Sequence, residues 1–160
     1  MSYDRELWAS LFSAAQAMPT NRILLCLKPP SETAGLVADL AMGLWQSAGS
    51  PRSPIRQRQL HVSVCGLGDH YDFPKRLCGK VIDLLDRASF PPFQIGFDRF
   101  VRFGGKAAVL RDATQNPEAT WLSRNICALV QQTLSPPFRY RRAFDPHMTI
   151  FYGGRSFAEI

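Results

Sequence analysis

Two of the three histidines in this 160-residue chain lie in the same short pattern. His61 lies in "LHVSV" and His147 in "PHMTI", so that each is followed by an apolar residue, a hydroxyl residue and a second apolar residue. Because side chains alternate along a β-strand, each histidine and the hydroxyl residue two positions later share a face. The pattern therefore predicts two strands that each present an imidazole beside a hydroxyl, with a packed apolar face behind them.

This pairing of side chains suits chemistry at a phosphodiester. Imidazole changes its protonation state near neutral pH, so one histidine can accept a proton while the other donates one. Ser63 and Thr149 carry the two hydroxyls, which can hold non-bridging phosphate oxygens. On opposite sides of one phosphorus atom, the two pairs would support in-line displacement. We therefore predict His61 and His147 as catalytic residues and Ser63 and Thr149 as phosphate-binding residues.

Each segment taken alone is more typical of a structural histidine than of a site. The doubled pattern, with one copy in each half of the chain, favours the site. The third histidine, His70, has no such companion and is expected in a loop just past a strand.

Hydrophobic periodicity predicts alternating helices and strands in a single domain of residues 1–160. The expected strands are 22–30, 59–68, 93–103 and 106–112, followed by the second histidine segment, with a hairpin turn at 104–105. The expected helices are 1–20 (an N-terminal extension), 31–47, 73–88 and one that starts at Pro117 after Asn116 as its cap. Each half ends with a helix and then a histidine strand, so we interpret the halves as distant copies about a pseudo-two-fold axis.

Charge and cysteine content restrict the class of partner and site. The net charge is +6, with 15 arginines and four lysines, which favours a phosphate-bearing partner over a neutral one, although a basic surface kept for solubility remains open. The four cysteines are widely spaced and form no C-x-x-C pair, so we predict buried free thiols and no zinc site. We see no signal peptide and no apolar run that would span a bilayer, and we expect a cytoplasmic protein.

With these residues in place, the chain resembles the two-histidine (2H) phosphoesterase superfamily. It is most similar to the RNA 2′,3′-cyclic phosphodiesterases, long called 2′-5′ RNA ligases, through "LHVSVCGLG" and "RAFDPHMTI". The resemblance runs from about Arg22 to Tyr152 and includes the lead-in from Arg142 to His147, which adds Arg142 as a phosphate-binding residue. It implies a bilobal α+β fold with two antiparallel sheets around a central cleft and helices on the outside.

The resemblance also implies an activity: hydrolysis of a terminal 2′,3′-cyclic phosphate to a 2′-phosphomonoester, without metal or cofactor, and with 2′-5′ RNA ligation as an accompanying activity. His61 would be the general acid and His147 the base. The partner would be an RNA end or a small cyclic nucleotide, with no membrane, and the protein a monomer. Two alternatives stay open: a non-catalytic RNA-binding module of the same fold, and a phosphodiesterase for a small cyclic nucleotide or 2′-5′ oligoadenylate.

The chain departs from the family pattern at four points. Ser63 stands where threonine is usual, Gly66 where a large aromatic residue is usual, and Tyr152 where arginine is frequent. The family adds strands after the second motif, whereas this chain ends 11 residues past Thr149. We expect either a shortened chain or a second lobe that closes differently.

Overall fold

The computed structural model describes residues 21–103, 107–114, 116–134 and 144–153. This part of the chain contains five strands and three α-helices. The strands are Asn21–Leu27 (β1), Val62–His70 (β2), Arg99–Phe103 (β3), Ala107–Arg111 (β4) and His147–Tyr152 (β5). The helices are Ser31–Ala48 (α1), Lys75–Asp86 (α2) and Pro117–Leu134 (α3), and a 3₁₀ turn at Gln57–Gln59 precedes β2.

The five strands form one antiparallel sheet in the order β1-β2-β5-β4-β3. The β1–β2 ladder and the β3–β4–β5 ladder meet through the pairing of Val62 with Met148. The predicted α+β class with antiparallel strands and helices is confirmed. One detail differs, because this central pairing joins the two expected sheets into one. The histidine strands β2 and β5 are therefore neighbours in the middle of the sheet.

The helices cover one face of this sheet. One core cluster lies between α1 and the middle of the sheet, where Leu60, Val62, Met148 and Ile150 are buried. A second cluster lies under α2 and α3 and contains Val64, Leu67, Val81, Leu122 and Val130. Burial of one such side chain stabilises the fold by roughly 1.5–3 kcal/mol. The apolar residues that alternate with the motif residues of β2 and β5 thus anchor both strands to the helices.

The strand expected over 93–103 begins only at Arg99. The cause lies in the buried side chain of Asn116, whose amide takes both backbone groups of Gly96. Asn116 Oδ1 accepts a hydrogen bond from Gly96 N at 3.2 Å, and Asn116 Nδ2 donates to Gly96 O at 3.0 Å. Gly96 is therefore tied to the segment before α3 instead of to a neighbouring strand. Asn116 stands directly before α3, at the predicted cap position, where its backbone carbonyl accepts a hydrogen bond from Thr120 N at 3.0 Å. Its side chain binds Gly96 and not the helix.

Three further expectations can be placed. His70 is the last residue of β2 and not part of a loop. Among the described residues, no helix has the length and apolar character needed to cross a membrane. The predicted helix over 1–20, the turn at 104–105 and Arg142 lie outside the described residues.

Candidate active site

The pairing of Val62 with Met148 fixes which residues lie together on the sheet face opposite the three helices. Both side chains are buried in the core, with 3% and 4% of their surface exposed. In an antiparallel pair, one step along each strand brings the next residues opposite each other, with their side chains on the other face. The four motif residues are those neighbours, so they lie on the face that points away from the helices.

His61 directly precedes β2 and His147 is the first residue of β5, and each histidine is opposite the hydroxyl residue of the other motif. His61 is opposite Thr149, and Ser63 is opposite His147, as the register one step from the central pair requires. Directly opposite residues have Cβ atoms about 4.5–5.5 Å apart, and diagonal neighbours about 7–8 Å. The two histidines are diagonal neighbours in this arrangement, so their side chains start from the same face of two adjacent strands.

Both imidazoles are oriented by the same local hydrogen bond. Nδ1 of His61 lies 2.7 Å from the carbonyl oxygen of Gln59, and Nδ1 of His147 lies 2.7 Å from that of Asp145. A carbonyl oxygen can only accept, so Nδ1 carries the proton in both rings. Each Nε2 is then the nitrogen that can gain or lose a proton.

Ser63 and Thr149 are half-buried, and neither hydroxyl makes a hydrogen bond to a residue that the structure describes. Hydroxyls on the same face as two oriented imidazoles are suited to donate to the oxygens of a bound anion. The structure therefore brings together four of the five site residues predicted from the sequence. The fifth, Arg142, lies outside the described ranges.

Both histidine strands bulge at the residue after the hydroxyl. On β2, Ser63 pairs with Cys26 and Cys65 with Leu25, which leaves Val64 as the extra residue. On β5, Thr149 pairs with Val109 and Phe151 with Ala108, which leaves Ile150 as the extra residue. A bulge bends the strand and re-aims the side chains that follow it. In the sequence, each hydroxyl residue is followed by two consecutive apolar residues, "VC" on β2 and "IF" on β5. This break in the alternation indicates a bulge, which we did not predict from the sequence.

Because both bulges occur at the same step, the fifth residue after each histidine occupies the same place on its strand. On β2 this residue is Gly66, which offers no side chain. On β5 it is Tyr152, with 43% of its surface exposed. The hydrogen bond from Nδ1 to a backbone carbonyl and the bulge after the hydroxyl residue thus recur in the two halves. A two-fold axis that relates the halves stays a prediction.

Arg111 and Asp145 support His147 and were not predicted. Arg111 is the residue opposite His147 on β4, and its Nη2 lies 2.9 Å from Oδ1 of Asp145. The carbonyl of Asp145 is the group that holds the His147 ring. Arg111 Nε is buried without a hydrogen-bond partner among the described residues. Only the β4–β5 register reveals this arrangement, since no local sequence pattern connects residues so far apart.

Phe103 stacks against the imidazole of His147. Its ring centroid is 4.5 Å from that of His147, at an angle of 25° between the planes. The stacking restricts rotation of the imidazole and shields one of its faces from water. In the described part of the chain, no three His, Cys, Asp or Glu side chains are grouped as metal ligands.

Comparison with known proteins gives a consistent result. Residues 29–157 match the family model described as the 2′-5′ RNA ligase superfamily. The fold is similar to that of E. coli LigT complexed with 3′-AMP, with a TM-score of 0.66 and 16% identity over 86% of this chain and 76% of LigT. The LigT complex with phosphate gives 0.62 and 15% over 90% and 77%.

A further structure, described as a phosphoesterase, gives a TM-score of 0.61 and 15% identity over 86% of this chain and 78% of that protein. No curated protein matches the sequence. At these identities the structural likeness shows a shared fold, and the family match covers most of the chain.

Proposed function

This chain belongs to the 2′-5′ RNA ligase superfamily, and from that premise we propose that it is a metal-independent RNA 2′,3′-cyclic phosphodiesterase. The observation that carries the proposal is the cross-strand square in which His61 is opposite Thr149 and Ser63 is opposite His147. This square offers two proton-transfer groups and two phosphate-binding groups on one face of two adjacent strands.

The reaction begins with water on the His147 side of the phosphorus atom. Nε2 of His147 accepts a proton from this water as its oxygen bonds to phosphorus. The bond from phosphorus to the ribose 3′ oxygen breaks, and Nε2 of His61, protonated at the start, gives its proton to that oxygen. The product is a 2′-phosphomonoester with a free 3′ hydroxyl, and solvent exchange restores the two rings.

Ser63 and Thr149 donate hydrogen bonds to the non-bridging oxygens and so stabilise the negative charge of the transition state. We assign Arg142 to the same task on the basis of its place in the second motif. The Nδ1 hydrogen bonds to Gln59 and Asp145 support both proton transfers, because they fix the tautomer before the substrate arrives.

The experiment is a product assay without added metal. The protein is incubated with an oligoribonucleotide that ends in a 2′,3′-cyclic phosphate, in the presence of EDTA, and the product is compared with 2′- and 3′-phosphate standards. We expect the 2′-phosphate alone, at a rate that EDTA does not change. A 3′-phosphate product, or a rate abolished by EDTA, contradicts the mechanism.

Binding is measured with the same oligonucleotide, so that a binding module is distinguished from an enzyme. Tight binding without turnover would identify the chain as a non-catalytic RNA-binding protein. The matched control is the double variant His61→Ala/His147→Ala, which keeps the fold and removes both proton-transfer groups.

A further inference from the structure

A groove beside His61 is lined by three cationic side chains. It has a volume of about 590 Å³ and lies where the end of β1, the start of α1 and the 3₁₀ turn meet. The cations are those of Lys28, Arg56 and Arg58, and none of the described residues that line the groove is acidic. A concave surface of this charge attracts anions, and guanidinium groups match the geometry of phosphate.

The groove lies next to the candidate active site along the chain, because Leu60 lines the groove and His61 follows it directly. Leu27, the last residue of β1, pairs with Val62. The same register carried one residue further puts Lys28 opposite His61 and on the same face of the sheet. Lys28 Nζ donates a 2.6 Å hydrogen bond to the carbonyl of Arg58, which ties β1 to the 3₁₀ turn. Residues 56–60 thus form a wall of the groove and lead directly into His61.

The two arginines of the groove are available to a ligand. Both side chains are exposed, and neither forms an ion pair with a described carboxylate, whereas Arg22 and Arg111 are each paired with an aspartate. Gln57 Nε2 donates to the carbonyl of Ser31 at 3.0 Å, which holds the wall between the two arginines against α1. The backbone is therefore fixed while the charged groups remain open to solvent.

The direction of the reaction indicates which phosphate would occupy this groove. In the proposed mechanism, on which this inference rests, His61 protonates the departing 3′ oxygen. That oxygen belongs to the terminal ribose, so the ribose lies on the His61 side of the phosphorus atom and water lies on the His147 side. The 5′ substituent of the same ribose then extends further along the His61 side, where the groove begins.

We propose that Lys28, Arg56 and Arg58 bind the phosphodiester that precedes the terminal nucleotide. The substrate is then an RNA strand that ends in a 2′,3′-cyclic phosphate, and a cyclic mononucleotide without a 5′ phosphate uses only half of the site. The groove contributes to the binding of the strand and does not take part in proton transfer.

The test measures the turnover of two substrates by the unaltered protein and by the double variant Arg56→Gln/Arg58→Gln. The double variant leaves the contact of Lys28 with the main-chain carbonyl of residue 58 intact. For a tetranucleotide with a terminal cyclic phosphate, we expect KM to rise about tenfold or more with kcat nearly unchanged. For a 2′,3′-cyclic mononucleotide with a 5′ hydroxyl, we expect kcat/KM within about twofold of the unaltered protein. The salt dependence of tetranucleotide binding should also become shallower.

The matched control removes the same charge elsewhere. Arg76 and Arg124 are exposed on α2 and α3, and Arg76→Gln/Arg124→Gln should leave both substrates unaffected. Equal losses on both substrates, no loss on the tetranucleotide, or an equal loss in the control variant would each overturn the inference.

Fluorescence anisotropy of the labelled tetranucleotide measures Kd independently of turnover. If neither substrate is turned over, the proposed function fails, and Kd still tests whether the groove binds the RNA strand. A Kd that Arg56→Gln/Arg58→Gln leaves unchanged overturns it, and a Kd raised about tenfold supports it.

Discussion

Val62 of β2 and Met148 of β5 face each other across the centre of the sheet, and both side chains lie in the same core cluster. A slip of one residue at this pair would turn every side chain of the shifted strand to the other face. The apolar residues between the motif positions therefore hold the candidate site in register, although they face the core and not the site.

We expect Met148→Ala to lower the free energy of unfolding by about 2–5 kcal/mol, because it removes a buried side chain and leaves a cavity. Met148→Leu, which keeps the volume, should cost less than about 1.5 kcal/mol. The measurement is urea denaturation, with Met42→Ala as control, since Met42 is 45% exposed and should change stability by less than about 0.5 kcal/mol. Similar losses at the two methionines would contradict the assigned core.

Removal of the hydroxyl from Thr149 should lower kcat without unfolding the protein. Thr149→Val keeps the shape of the side chain but cannot donate to a phosphate oxygen, so we expect kcat to fall about 10²-fold. Thr149→Ser keeps the hydroxyl, as Ser63 does on β2, and should retain most of the activity. Steady-state kinetics on the cyclic-phosphate oligonucleotide decide this, and equal activity of the valine and serine variants would remove Thr149 from the mechanism.

Arg111 is expected to act as a positioning residue, because it pairs with Asp145, whose carbonyl holds the imidazole of His147. We expect Arg111→Met to lower kcat by roughly 10- to 10²-fold, since a small misplacement of the base is costly. Arg111→Lys, which keeps the charge, should restore part of the loss.

The matched control for this prediction is Arg99→Met. Arg99 is opposite Arg111 on β3 and is exposed. The substitution Arg99→Met should leave kcat and the pH dependence of kcat unchanged, whereas Arg111→Met should alter both. Equal effects of the two substitutions would mean that Arg111 contributes only to the sheet.

The prediction of buried free thiols is confirmed for Cys65 and Cys127 and wrong for Cys26, which is exposed, so the cysteines should differ in reactivity. Contact with the Cys127 thiol and burial raise the pKa of Cys65, so that Cys65 stays protonated at neutral pH, where only the thiolate reacts. We expect iodoacetamide to modify the exposed Cys26 more than about tenfold faster than Cys65 in the folded protein, and both equally in urea. Peptide mass spectrometry measures the ratio, and rapid modification of Cys65 without unfolding would contradict its burial.

The sequence predicts local alternation well and long-range pairing poorly. The setting of His61 and His147 is sufficient to place each imidazole and its hydroxyl on one face, because that depends only on the two-residue period of a strand. The role of Arg111 depends on which strands pair and in which register. Likewise, the strand expected from residue 93 is shortened by Asn116, which lies 20 residues after Gly96 in the chain.

The central claim is that two imidazoles act on one phosphorus atom, and the activities of His61→Ala, His147→Ala and the double variant test it most directly. We expect each single substitution to lower kcat by about 10²–10⁴-fold. The kcat of the double variant should be little lower than that of the less active single variant, because the effects of groups that act as a unit are not additive. His70→Ala, at the far end of β2, should retain full activity. A single variant that keeps full activity, or losses that simply multiply in the double variant, would contradict the shared site.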